Sequence, residues 1–158
     1  MGGGSSFLVD MLVGEGRRDV TVLDHSGVAL DTVRARTGAD PRVSLVQGNL
    51  LEWTPPRRYD LWHDRAVFHF LVEPGERAGY LERLQVALRP GGTVILATFA
   101  PDGPASCSGL PVARYSPADL VAVLGPGFRV IEAFREEHVT PTGVTQPFSW
   151  VATRRMGT

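Results

Sequence analysis

The sequence predicts an α/β domain with a mostly parallel sheet, and three features carry that prediction. Strand-like and helix-like patterns alternate from end to end. The strand runs, such as Thr93-Val94-Ile95-Leu96-Ala97-Thr98, are nearly continuous apolar stretches, as strands covered on both faces require. The last two strand patterns have no helix between them, so that pair is expected to run antiparallel. No internal repeat appears, and residues 1–158 read as a single domain.

Phe7, Leu8, Met11 and Leu12 follow helical spacing, with Ser5 or Ser6 available as N-cap. Asp19 to Asp24 is a short β-branched run, read as a buried strand. Ser26 opens a helix to about Arg36 that Gly38 closes. Val43 to Gln47 is the next strand, and Trp53-Thr54-Pro55-Pro56 a loop, because paired prolines donate to neither ladder nor helix. Tyr59 to His63 reads as a strand. Pro74 to Leu88 reads as a helix with Tyr80, Leu81, Leu84 and Leu88 inward. Arg89-Pro90-Gly91-Gly92 reads as a turn before the strand at 93–98, and residues 100–114 as a long loop. Ser116-Pro117-Ala118-Asp119 is a helix start with cap, proline and first-turn acid, and Gly125 ends that helix. Phe128 to Ala133 and Phe148 to Thr153 are the last strands, joined by a polar, turn-rich segment.

Composition narrows the function. The 158 residues are 43% hydrophobic and 21% charged, and 16 basic against 17 acidic side chains leave a net charge of −1. That balance argues against nucleic acid as partner, which needs a clustered basic surface. The single cysteine, Cys107, has no internal partner, and no Cys/His cluster has zinc spacing, so no metal is expected and a reducing cytoplasm fits. No apolar run approaches the roughly 20 residues of a membrane helix.

Ligands of open α/β sheets bind at the carboxyl ends of the strands. Gly2, Gly3 and Gly4 stand before the first helix, where glycine lets backbone approach a ligand and the helix offers N–H groups. Asp24 ends the following strand 20 residues after Gly4. An acid at that distance suits a ribose diol, since one carboxylate accepts from both hydroxyls. The spacing therefore points to a nucleoside-type ligand. The third glycine of a nicotinamide fingerprint would fall at Phe7, which counts against a dehydrogenase.

The GGGSS turn resembles the glycine motif of class I S-adenosylmethionine-dependent methyltransferases. Val22-Leu23-Asp24 resembles the motif whose acid holds the ribose, and Gln47-Gly48-Asn49-Leu50 the one that meets the adenine, with Asn49 in place of the commoner Asp. Tyr59-Asp60-Leu61-Trp62-His63-Asp64-Arg65 resembles the strand facing the methyl donor, and Leu88-Arg89-Pro90-Gly91-Gly92 the turn before the fifth strand. Asp64 to Leu71 and Cys107 to Pro111 are similar to a group of small bacterial methyltransferases, and more loosely to thiopurine S-methyltransferases. The resemblance implies a Rossmann-like sheet in the order 3-2-1-4-5-7-6, with the last strand antiparallel. It implies S-adenosylmethionine contacts at Gly2, Gly3, Gly4, Ser5, Asp24, His25, Asn49, Leu50, His63, Asp64 and Arg65. It also implies one strand more than the chain carries: a first, central strand ending in an acid ahead of Gly2. In that reading translation starts upstream of Met1. The chain alone is then expected to be unstable, to aggregate or to bind donor poorly.

Methyl transfer is an in-line displacement that needs orientation, dryness and, for some acceptors, a base. His63, Asp64 and His69 are the catalytic candidates, with His69 preferred as base because imidazole titrates near neutrality. The alternative has His69 packed on a helix start with one structural hydrogen bond. Cys107 and His138 read as packing and solvated surface. The leading reading is transfer to a small-molecule O, N or S nucleophile. A protein lysine acceptor, a donor-binding fold without activity, and a homodimer stay open.

Overall fold

The computed structural model describes residues 1–4, 6–38 and 40–157. Two compact units make up the chain, Met1–Trp53 and Thr54–Thr158.

The first unit holds α1 (Leu8–Gly14), β1 (Val20–Asp24), α2 (Gly27–Thr37) and β2 (Val43–Gln47). β1 and β2 pair in parallel, from Val20 opposite Val43 to Asp24 opposite Gln47. Val9 of α1, Val22 of β1 and Leu30 and Val33 of α2 form the buried core, with Val13, Val20, Val43 and Leu45 packed around them. The α2 signals act as read: Ser26 Oγ accepts from Ala29 N at 3.2 Å, and Gly38 closes the helix at φ 63°. At α1 the cap position falls on Phe7, which makes no side-chain cap, while Ser6 Oγ accepts from Leu8 N at 3.1 Å. The Arg36 guanidinium ties the two helices by donating to Asp10 and to the Ser6 carbonyl.

The second unit is built on a four-stranded sheet. In chain order it has β3 (Tyr59–Arg65), a 3-10 turn (Phe68–Phe70), α3 (Pro74–Ala87) and β4 (Leu88–Phe99). The short β5 (Ser106–Cys107) and β6 (Leu110–Pro111) follow, then α4 (Pro117–Leu124), β7 (Phe128–Val139) and β8 (Thr145–Arg155). The order is β3-β4-β8-β7, with β8 running against both neighbours. Taken by themselves, the first unit's β1-β2 pair and the second unit's β3-β4-β8-β7 order correspond to the 2-3 pair and the 4-5-7-6 run of the expected order.

Period-two alternation divides the second sheet's side chains. Trp62, Asp64, Val94, Leu96, Thr98, Ser149, Val151 and Thr153 are buried on one face, where Tyr80 of α3 packs edge-on to Trp62 at 5.6 Å. Cross-strand register puts Arg65, Ala97, Trp150 and Phe134 in one row on the other face. Phe99, Phe148 and Glu136 form the next row.

Three departures from the sequence reading have local causes. β7 runs six residues past Ala133, because Arg135, Glu136, Glu137 and His138 look like a polar connection but pair with β8 as far as Val139 opposite Thr145. Within 100–114, read as a loop, β5 and β6 pair around Ser108 and Gly109. The turn at 89–92 lies inside β4 as a bulge, since Tyr59 faces Leu88 while Leu61 already faces Thr93.

That bulge needs its second glycine. A Cβ on Gly92 would sit 2.8 Å from the Leu88 side chain and 2.9 Å from the Arg89 carbonyl oxygen, and the latter is backbone. Gly92→Ala is therefore expected to destabilise the protein by about 1–3 kcal/mol, read as a Tm lowered by several degrees in calorimetry.

Candidate functional site

The opening glycines lie against β1. Gly3 N donates to the Leu23 carbonyl at 3.5 Å, and a Cβ on Gly3 would come within 2.4 Å of Val22 Cγ1. Gly4 has φ 48°, in the left-handed region that glycine alone enters freely. From there its N–H donates to Asp24 Oδ2 at 2.7 Å, while Oδ1 accepts from Ser26 N at 2.8 Å. Two backbone donors thus fix the half-buried carboxylate, and each oxygen keeps a lone pair for a further donor. That remaining capacity is what a vicinal diol uses. The glycine turn and an adenosyl group therefore fit each other.

The neighbouring expectations are placed as follows. Gly2 is exposed at φ 55°, and Ser5 lies outside the described residues. The exposed His25 offers its carbonyl to Gln47 Nε2 at 3.4 Å. Gln47 itself packs so closely on α2 that a Cβ on Gly27 would meet its amide at 3.1 Å. Asn49 closes its own turn: Oδ1 accepts from Leu51 N at 3.0 Å and Nδ2 donates to Glu52 at 3.2 Å. Leu50 is buried beneath that turn.

In the second unit the end of β3 is fixed by a buried chain of hydrogen bonds. Trp62 Nε1 donates to Tyr80 Oη at 2.8 Å, and Tyr80 Oη donates to Asp64 Oδ2 at 2.7 Å. Asp64 Oδ1 accepts from Val67 N at 2.9 Å and more weakly from Phe68 N at 3.4 Å, capping the 3-10 turn. Burial pushes the Asp64 carboxyl up, against these donors, and pushes Tyr80 well up, so the phenol keeps its proton. Between Asp64 and that turn, Ala66 is held at φ 66° with its N–H on the Ala97 carbonyl at 2.9 Å. A non-glycine residue there is strained, and such strain persists only where neighbours over-determine the backbone. Asp64, expected as a catalytic or donor contact, thus has both oxygens engaged, Oδ1 by the turn's amides and Oδ2 by Tyr80 of α3. Tyr80, its partner, and Trp62, which donates to Tyr80, read from sequence only as packing residues.

That turn carries His69. Its ring is fully buried, packed on Phe70 (4.6 Å between centroids) and Phe99 (4.9 Å), and neither ring nitrogen has a hydrogen-bond partner among the described residues. The expected structural hydrogen bond of its side chain is absent there. Its backbone carbonyl instead accepts from Ala113 N at 2.8 Å. Burial lowers His69 to about 4, and lowers the half-buried His63 to about 4 as well, with the Arg65 charge adding to the effect. The Arg65 guanidinium lies 4.6 Å over the Phe148 ring. Cys107 packs on the Ala97, Phe99, Val112 and Phe148 cluster, beside Ala66, Phe70 and Trp150. His138 is not in a loop but on β7, edge-on to Phe148 at 6.0 Å. Trp150 Nε1 donates to Glu136 at 2.7 Å. Among the described residues no group of three His, Cys, Asp or Glu is placed to hold a metal, and no helix is long and apolar enough to cross a membrane.

A glycine turn clamped to a strand-ending acid, on sheets with these strand orders, defines a nucleoside-binding α/β protein of the methyltransferase type. The sequence matches the family described as Methyltransferase domain over residues 1–92, and the chain belongs to the class I S-adenosylmethionine-dependent methyltransferases. A curated relative, malonyl-[acyl-carrier protein] O-methyltransferase 2 of Ilyobacter polytropus, is 24% identical over 84 residues, 53% of this chain. The match covers 31% of that relative, so the chain spans about a third of its length. A methyltransferase structure from Methanosarcina mazei aligns with a TM-score of 0.78 at 14% identity, over 98% of this chain and 90% of its own. The Burkholderia thailandensis 1,6-didemethyltoxoflavin-N1-methyltransferase, solved with 1,6-didemethyltoxoflavin and S-adenosylhomocysteine, aligns with a TM-score of 0.77 at 22% identity. That alignment covers 99% of this chain and 69% of the other. At these identities the likeness is one of fold.

Two measurements check the second unit. Tyr80→Phe removes both hydrogen bonds of the buried hydroxyl and leaves Asp64 one donor short, so a loss of about 3 kcal/mol is expected in urea unfolding. His69 titrates near 4 when folded against 6.5 when exposed, so unfolded chains take up its proton first as pH falls. Its contribution is complete above 6.5 and lost towards 4. Asp64, raised by burial, works in the opposite sense, so the difference between proteins is the useful quantity. His69→Phe should gain stability relative to the parent as pH drops from about 7.5 to about 5; a constant difference in Tm would contradict the buried, neutral imidazole.

Proposed function

We propose that this chain transfers the methyl group of S-adenosylmethionine to a small-molecule acceptor. The observation that carries the reading is the Gly4 N–H on Asp24 Oδ2 at 2.7 Å, which orients a carboxylate with two lone pairs to spare. Family membership supports it. So does the relative named for methylating 1,6-didemethyltoxoflavin, a small molecule.

Gly2, Gly3 and Gly4 would give the donor a close backbone wall, Asp24 would accept from its ribose, and His25, Asn49 and Leu50 would flank its adenine. When bound, S-adenosylmethionine supplies an electrophilic methyl carbon that passes to an acceptor lone pair while the carbon–sulfur electrons stay on sulfur. His69 is assigned the proton: a neutral, buried imidazole with a free lone pair accepts the acceptor's N–H or O–H proton as the bond to carbon forms. Asp64 acts through backbone, holding the turn that carries His69. His63 stays at the strand end as a second neutral imidazole that excludes water.

Titration calorimetry with S-adenosylmethionine is the primary test. Asp24→Ala should weaken binding by about 10- to 100-fold, the worth of hydrogen bonds to a charged acceptor; unchanged affinity would remove the central support. His69→Gln should lower kcat by about 100-fold or more while the donor Kd stays put. If turnover survives that change, His69 is only packing.

A further inference from the structure

The second unit carries an aromatic surface that the donor reading does not use, and beside it Arg65, which the family resemblance offers to the donor. Phe99 and Phe148 pack edge-on at 4.9 Å and, with Ala97, form a buried floor. Around it the rim is partly exposed: Trp150 stacks on Phe134 at 6.1 Å with their planes 4° apart. Arg65 enters the same row from the β3 side, and its guanidinium covers the Phe148 ring. Among the described residues Arg65 has no carboxylate partner. Two other arginines of this sheet differ: Arg135 pairs with Asp102 and Glu137, and Arg89 with Asp60. At the far side of the floor stands His69, packed on Phe99 and fully buried with both nitrogens unsatisfied.

These are separate observations with one common answer. A half-buried guanidinium lying over a ring still has N–H donors for an anion, and a ligand that supplies one gains a charge-assisted pair. A buried imidazole with two orphan nitrogens is costly until a polar group reaches it. Between them lie ring faces, whose preferred contact is another ring, stacked or edge-on.

We infer that the acceptor is a planar aromatic molecule bearing an acidic group, its ring against the Trp150–Phe134 rim and its anion on Arg65. The inference rests on the methyltransferase reading for what happens next, and on the second unit alone for recognition. An aliphatic acid would satisfy Arg65 and waste the rings. A neutral aromatic would use the rings and leave the guanidinium unpaired.

The test titrates the full chain with 4-hydroxybenzoate, 4-hydroxybenzamide and cyclohexanecarboxylate, each with and without saturating S-adenosylhomocysteine. The aromatic acid should bind about tenfold or more tighter than either control, as a charge-assisted pair to guanidinium implies. Arg65→Gln should bring acid and amide to within about twofold, and Arg65→Lys should keep the preference. Trp150→Leu should weaken both aromatic probes more than the cyclohexane acid, and the exposed Phe134→Leu should do the same with no threat to folding. Equal binding of the three probes, or an acid preference that survives Arg65→Gln, would overturn the inference. Loss of S-adenosylhomocysteine affinity in Arg65→Gln with the acid preference intact would overturn it too, returning Arg65 to the donor. If S-adenosylhomocysteine fails to bind the parent chain, the methyltransferase reading falls, and the titrations without it still decide the aromatic site.

Discussion

The carboxylate of Asp64 is the constraint on which the second unit depends. A fully buried acid is expensive, and here three donors from three directions offset that cost: a phenol on α3 and two amides of the following turn. Those same bonds fix the direction in which the chain leaves β3. They hold Ala66 in a backbone conformation it would not choose alone, and they set the turn that drives His69 inward. Removing the acid would free the backbone to relax, and with it the placement of Arg65 on the next strand position. The network is thus architectural in its contacts.

In the first unit a second carboxylate works in the opposite way. Asp24 is only half-buried, accepts from two amides, and keeps acceptor capacity. One acid is closed off by its partners and positions backbone; the other is oriented by its partners and left able to bind. The difference lies in burial and donor count, which residue type does not reveal.

This explains what could be read from the chain. Elements with strong local signals were legible: the α2 cap at Ser26, the α4 capping box from Ser116 to Asp119, and the β2 strand match the reading closely. Segments whose structure is decided by distant partners were not. The charged half of β7 is a strand only because β8 lies beside it, and the 89–92 turn becomes a bulge because β3 keeps pairing across it. The Gly4–Asp24 contact was legible because a 20-residue spacing within a strand–helix–strand pattern allows few geometries. The Tyr80–Asp64 bond and the aromatic rows were not, since cross-strand register appears nowhere in local sequence.

Register also decides what chemistry the buried imidazole can do. Held near 4, His69 is unprotonated in essentially every molecule at neutral pH, so none of the population is lost to the wrong protonation state. The same shift makes it a weak base, with little driving force against an ordinary aliphatic alcohol. It matches a proton that becomes strongly acidic as a bond to carbon forms, as on a nitrogen gaining positive charge, or one that is acidic from the start, as on a phenol. Conjugation to an electron-withdrawing ring lowers a nucleophile's pKa in that direction. In the role proposed for it, a His69 weakened by burial against Phe70 and Phe99 would favour that kind of acceptor over an aliphatic alcohol.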